Sequence, residues 1–169
     1  MSLFLIEQSI PTDESATDVA SLIAKTVDST GGEVVESRIT SAGSHVFVVA
    51  DHDDPAALEV DLKAAGFDPE VAAVRLVGSD LETVKSTPGG NYLVEWDLPA
   101  DLDMDTYLAR KAEKSPLYDQ VPEVRFERTY VREDMGKCLC FYDAGCEEDV
   151  RHAREVVSTP VDRLHELDR

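Results

Sequence analysis

The stretch FLIEQSIP, Phe4 to Pro11, returns 88 residues later as YLVEWDLP, Tyr92 to Pro99. Leu5, Glu7 and Pro11 recur as Leu93, Glu95 and Pro99, and Phe4, Ile6 and Ile10 recur as Tyr92, Val94 and Leu98. Short β-branched and aromatic runs closed by proline suit a strand. A glutamate in mid-strand is the odd residue, and both copies have it. Two further phrases follow in order. EVVESR (Glu33 to Arg38) returns as EVRFER (Glu123 to Arg128) at an offset of 90, and HVFVVAD (His45 to Asp51) aligns with CLCFYDA (Cys138 to Ala144) at an offset of about 92. Three ordered matches predict a tandem repeat.

Between these anchors the hydrophobic spacing assigns the remaining elements. Ala20, Leu22, Ile23 and Val27 predict a helix over 14–28, capped by Thr12 or Asp13 and closed by Gly31-Gly32. Strands are expected over 33–40 and 45–50 with a hairpin at 41–44, then a helix over 55–65 and a strand over 71–77. The second half repeats this plan, with strands over 91–97, 123–132, 137–142 and 163–168, and helices over 102–114 and 146–157. Each half reads β-α-β-β-α-β, the ferredoxin-like plan, in which a four-stranded antiparallel sheet has both helices on one face. The expected fold class is therefore α+β. It consists of tandem ferredoxin-like repeats over 1–78 and 91–169, joined by a crossing segment over 79–90 with Ser86, Pro88, Gly89 and Gly90 near its end. Sheet-to-sheet packing, as in a dimeric α/β barrel, would cover the open faces within the chain; a homodimer is the alternative.

The 169-residue chain carries a net charge of −19, with 35 acids against 16 bases. Nucleic-acid backbones need a basic face, so such partners are not expected, and the charge equally disfavours anionic membranes. No run approaches the roughly 20 apolar residues of a membrane helix, and the first residues lack a basic signal-peptide start. A cytoplasmic location is expected. An acidic, lysine-poor surface suits a salt-rich cytoplasm and equally an ordinary acidic protein. Cys138, Cys140 and Cys146 are read as free thiols, because two cysteines at i and i+2 on one strand are poorly placed for a bridge.

Two groups of residues could carry chemistry. In both first strands the more apolar parity should face the helices, which leaves Glu7 and Glu95 on the other face. Arg38 and Arg128, repeated at an offset of 90, are their natural partners. Two carboxylates there could bind a ligand or shift each other's proton affinity; structural ion pairs are the plainer alternative. The second group is Cys138, Cys140, Cys146, His152 and His165, whose thiolates and imidazoles suit zinc, nickel or copper. It has no CxxC or HxxxH spacing, and Cys138 and Cys140 could simply be buried as small apolar residues. His45 and His52 have no counterpart in the second half. There is no GxGxxG, P-loop or GxSxG.

YLVEWDLP, VRFERTYV, KCLCFYDA and STPVDRLHEL together resemble the small domains grouped as domain of unknown function 4242. The matches are Tyr92 to Pro99, Cys140 to Ala144 and Pro160 to Leu167. The resemblance covers roughly 92–168 and reaches the first half only through the repeat. It implies a ferredoxin-like fold and, in one branch, nickel binding. Nickel-type members carry a histidine in the second helix; His152 stands one position from that place, which Ala153 occupies, and Trp96 replaces a usual arginine. Cys140, His152 and His165 are thus the metal candidates, for nickel or another transition metal, and Glu7, Glu95, Arg38 and Arg128 the ligand candidates. The leading expectation is a protein that binds a metal ion or small ligand between two ferredoxin-like units. The alternatives are a cofactor-free monooxygenase or isomerase with Glu7 or Glu95 as base, and a structural or regulatory module.

Overall fold

The computed structural model describes residues 2–87 and 89–168. Pro88, in the expected crossing segment, lies outside them. The chain divides into two compact units, one comprising residues 2–74, 81–87 and 168, the other residues 75–80 and 89–167.

The first unit runs β1 (Leu3–Ser9), α1 (Ala16–Ser29), β2 (Glu33–Ile39), β3 (His45–Asp51), α2 (Pro55–Ala64) and β4 (Glu70–Val77), followed by the short α3 (Leu81–Ser86). Its strands are antiparallel in the order β2-β3-β1-β4. Ile6 and Ile10 pack with Val19, Ile23 and Val27 of α1 and with Leu58 and Leu62 of α2. Full burial of one such side chain contributes about 1.5–3 kcal/mol. The cap of α1 is Ser15, whose hydroxyl accepts from the Asp18 amide, rather than Thr12 or Asp13. At its other end Gly31 takes φ +88°, which lets the Gly31 and Gly32 amides reach the Asp28 and Val27 carbonyls. That is a Schellman ending, for which glycine is the residue of least strain.

The second unit repeats the order: β5 (Tyr92–Asp97), α4 (Met104–Lys114), a 3-10 turn (Ser115–Gln120), β6 (Val124–Arg132), β7 (Lys137–Ala144), α5 (Glu147–Val156) and β8 (Arg163–Glu166). Its strands are ordered β6-β7-β5-β8, antiparallel throughout. In both units the order is thus second, third, first, fourth strand, as in the ferredoxin-like fold. Tyr92, Val94, Trp96 and Leu98 join the helix-side core, as their parity predicts.

The strand registers correct one part of the repeat. Arg38 stands opposite Phe47, next to Glu7, whereas Arg128 stands opposite Phe141, next to Leu93. The residue equivalent to Arg38 is therefore Tyr130, and the equivalent of Arg128 is Glu36. The β-bulges agree, one between Val34 and Glu36, the other between Phe126 and Arg128. The 3-10 turn after α4 has no counterpart after α1, so the offset has already reached 92 at the second strand.

Among the described residues no helix is long and apolar enough to cross a membrane. Asn91 ties three strand ends of the second unit together. Its side chain donates to the Ala144 carbonyl (2.9 Å) and accepts from the Ala144 amide (3.0 Å), while its backbone bonds to Tyr142 and Leu167. Asn91→Ala would leave two backbone groups of Ala144 unpaired beside a buried position. It is expected to cost about 2 kcal/mol, measured as a lower urea midpoint at unchanged slope.

Candidate functional site

Period-two alternation sorts the second unit's chemistry onto two faces of one sheet. Across β5, β7 and β8 the register pairs Glu95 with Leu139 and Arg163, and Asp97 with Lys137, on the face away from the helices. Val94 pairs with Cys140, and Trp96 with Cys138, on the helix face.

On the first face Glu95, 4% exposed, is saturated with donors. Lys137 Nζ lies 2.7 Å from Oε1; Arg163 Nε (2.9 Å) and His165 Nε2 (2.8 Å) lie against Oε2. Arg163 also forks onto Asp97. Burial alone would raise the Glu95 pKa, but the hydrogen bonds from His165, Lys137 and Arg163 outweigh it and hold it at about 2 against an ordinary 4.5. Such a carboxylate is a weak base, which removes the main support for Glu95 as a catalytic base. The expected arginine partner is not there. Arg128 donates to the Gly89 carbonyl (3.0 Å) and stacks 4.8 Å over the Phe141 ring. In the first unit Arg38 Nη1 lies 3.4 Å from Glu36, and Glu7 stands directly opposite Glu70. His52 is buried and structural: its Nδ1 accepts from the Asp54 amide and its Nε2 meets Thr30 Oγ1 at 2.9 Å.

On the helix face a cavity of about 30 Å³ lies over Cys140, between the sheet, α4, the 3-10 turn and α5. Arg154 is 2% exposed at its inner end. It belongs to the stripe Val150, Ala153, Arg154, Val157, which α5 turns inward at helical spacing. Its Nη1 reaches Tyr142 Oη (3.1 Å) and Cys140 Sγ (3.5 Å), and its Nη2 donates to the Pro160 carbonyl (2.6 Å). Ser158 holds φ +54° at the end of α5, so that the Thr159 amide closes on the Arg154 carbonyl (2.9 Å). Tyr107 and Lys111, one turn apart on α4, line the same cavity, and the Lys111 ammonium sits 4.1 Å over Phe126. Burial holds that ammonium below the usual lysine range. Arg110, 5.8 Å over Trp96, and Lys114 also line the cavity. Among the described residues no Asp or Glu lines it.

Cys140 collects donors. Thr129 Oγ1 lies 3.3 Å from its sulfur and Cys138 Sγ 3.9 Å away. The Cys138 thiol, then Lys111, Arg154 and Thr129, outweigh burial and hold Cys140 well below the usual thiol range. The hydrogen bond to Cys140, with burial, pushes Cys138 up. Arg154 Nε is a buried donor on this cavity with no hydrogen-bond partner among the described residues, while the Tyr107 hydroxyl meets the Cys138 thiol. Two wider depressions on the first unit, about 570 and 380 Å³, are lined by Asp and Glu and, among the described residues, by no Lys or Arg.

The three metal candidates do not converge. Cys140 is on the helix face, His165 is on the opposite face against Glu95, and His152 is exposed on α5, 3.7 Å from Glu123. Among the described residues no three His, Cys, Asp or Glu side chains form a set that could hold a metal ion. The Cys138–Cys140 pair has Arg154 and Lys111 where further ligands would stand, and positive charge there opposes a second cation. Neither donor set fits nickel. Sequence reading passed over Arg154 and Lys111 because a charged helical residue ordinarily faces water. The available signal was their place on the apolar stripes Val150-Ala153-Val157 and Tyr107-Leu108.

Residues 92–167 match the family model described as nickel responsive protein SCO4226-like. No curated protein matches the chain in sequence. Among solved structures, TA0507, provisionally described as a chlorite dismutase, superposes with a TM-score of 0.57 at 9% identity, over 100% of this chain and 96% of its own. FN1347 from Fusobacterium nucleatum subsp. nucleatum ATCC 25586, provisionally a monooxygenase, gives 0.47 at 10% identity, over 99% and 91%. At such identity the first likeness is one of fold alone.

The Glu95 network sets a pH dependence. Because the folded pKa is depressed, its stabilisation is complete above about pH 4.5 and is lost as the pH falls toward 2. By linkage it is worth about 3 kcal/mol. Glu95→Gln is expected to lower stability at pH 7 by about that amount, and the gap from the parent should close between pH 4.5 and 2 in acid-titrated urea melts.

Proposed function

We propose that the second unit is a small-ligand-binding module that takes an anion of one to three heavy atoms in the cavity over Cys140. The observation that carries this is Arg154 Nε, a buried donor with no partner among the described residues, on a cavity lined by four cations. A buried donor of this kind costs roughly 1–3 kcal/mol when unmatched. An anion accepts from it. Four of the chain's 16 basic residues, Arg110, Lys111, Lys114 and Arg154, line the cavity without a carboxylate, in a chain of net charge −19. Even an ionised Cys140, which Cys138, Lys111, Arg154 and Thr129 favour over the neutral thiol, would balance only one of the cations Lys111 and Arg154. Room of about 30 Å³ restricts the occupant to the smallest groups.

This reading keeps the ligand-binding half of the sequence expectation and moves it off the Glu7 and Glu95 faces. The nickel description belongs to the matched family, and the donor chemistry of this chain does not support it here. The enzyme alternative with a glutamate base is disfavoured by the low basicity of Glu95.

Trp96 is the chain's one tryptophan and lines the cavity, so it reports on occupancy. Titration with bromide and with azide, followed by calorimetry and Trp96 fluorescence, is expected to saturate with one equivalent. Lys111→Met should weaken affinity at least about tenfold, as loss of one desolvated charge–charge contact implies. Absence of saturable heat with both anions would assign Arg154 Nε to bound water and end the reading.

A further inference from the structure

We propose that Cys140 is a peroxide-reactive thiol, oxidised to a sulfenic acid within the helix-face cavity. The inference uses the pocket of the anion-binding reading but does not need its affinity for halide or azide.

Three features of the geometry carry it. Cys140 Sγ has a hydroxyl donor at 3.3 Å (Thr129), a guanidinium at 3.5 Å (Arg154) and a second thiol at 3.9 Å (Cys138). These groups stabilise a thiolate, the nucleophilic form of cysteine. The sulfur lies on a cavity with space for roughly one or two water-sized groups, so only the smallest electrophiles reach it. Arg154 and Lys111 line that space, where a departing negative oxygen would form. The first feature would fit a purely structural cysteine; the other two would not.

The step balances with a hydroperoxide as oxidant. The thiolate attacks the nearer peroxide oxygen, an S–O bond forms and the O–O bond breaks. Sulfur loses two electrons, and the distal oxygen leaves as hydroxide beside Arg154 and Lys111. It then takes a proton from water. Cys138 is two residues away on an extended strand, where alternate Cα atoms lie about 6.6 Å apart. That is near the upper limit for a disulfide, so the sulfenic acid is the expected product, and condensation with Cys138 would be slow.

Cys146 is an internal control. It is the most exposed of the three cysteines, so access alone would make it react first. The full chain is treated with limiting hydrogen peroxide while folded and is then unfolded in the presence of a cyclic 1,3-dione that traps sulfenic acids. Site-resolved mass spectrometry is expected to find the adduct on Cys140 at least about tenfold sooner than on Cys146. If a product two hydrogens lighter forms instead, Cys138→Ala should convert it to the Cys140 adduct. Lys111→Met, which keeps the stem and removes the charge, should slow Cys140 oxidation at least about fivefold and leave Cys146 unchanged. Adduct on Cys146 first, no Cys140 adduct in Cys138→Ala, or an unchanged Cys140 rate in Lys111→Met would each overturn the proposal. Anion affinity is read by calorimetry without oxidant, so either idea can fail alone.

Discussion

The alternation of side chains along β5 and β7 is the constraint on which the second unit depends. One residue along either strand crosses from a saturated ion-pair network to a cation-lined cavity. Glu95 and Leu139 form one cross-strand pair, Val94 and Cys140 the next. A register slip of one residue would bury Lys137 in the helix-side core and move Cys140 to the other face, away from Arg154. The Asn91 clamp on Ala144 helps to prevent that slip, because it pins the ends of the same two strands.

The two faces treat buried charge in opposite ways. At Glu95 three donors close on one carboxylate, and nothing is left over for a ligand. Around Cys140 four cations line the cavity, and Arg154 Nε is left without a partner among the described residues. A buried charge costs free energy unless it is paired, so the first arrangement is self-sufficient, and the second is the one on which the proposed anion binding rests. The end of α5 reinforces the difference. Its Schellman turn holds the Arg154 carbonyl while the next proline's carbonyl holds the guanidinium.

Much of the fold was legible because periodicity and repetition speak directly to strands and helices. The β-α-β-β-α-β order of each half and the inward parity of Val94 and Trp96 follow from the amino acids alone. The cap of α1 was misplaced because Thr12, Asp13 and Ser15 are all competent, and only backbone geometry selects Ser15. The equation of Arg38 with Arg128 failed for a clearer reason. Chance identity in EVVESR and EVRFER favoured an offset of 90, while the residues of the 3-10 turn had already moved the register to 92. The candidate site was half legible. Glu95, Cys140 and His165 drew attention as polar or sulfur-bearing residues in apolar company. Their partners did not, because Arg154, Lys111 and Arg163 look like solvated charges until the strands and helices are placed.

The cation-lined cavity lies in a chain with more than twice as many acids as bases. Far from the protein, an approaching anion meets the repulsion of the whole −19 charge; only at the cavity does it meet Arg110 and Lys114. The long-range barrier fades as ionic strength rises, since screening acts over about 10 Å at 0.1 M salt. The enclosed attraction inside is screened much less. For the proposed anion, added salt would therefore speed entry while leaving the depth of the well nearly intact, the reverse of the usual rule for a basic pocket. A salt-rich medium would suit such a gate, and the acidic surface would then filter arrivals by size and screening rather than steer them.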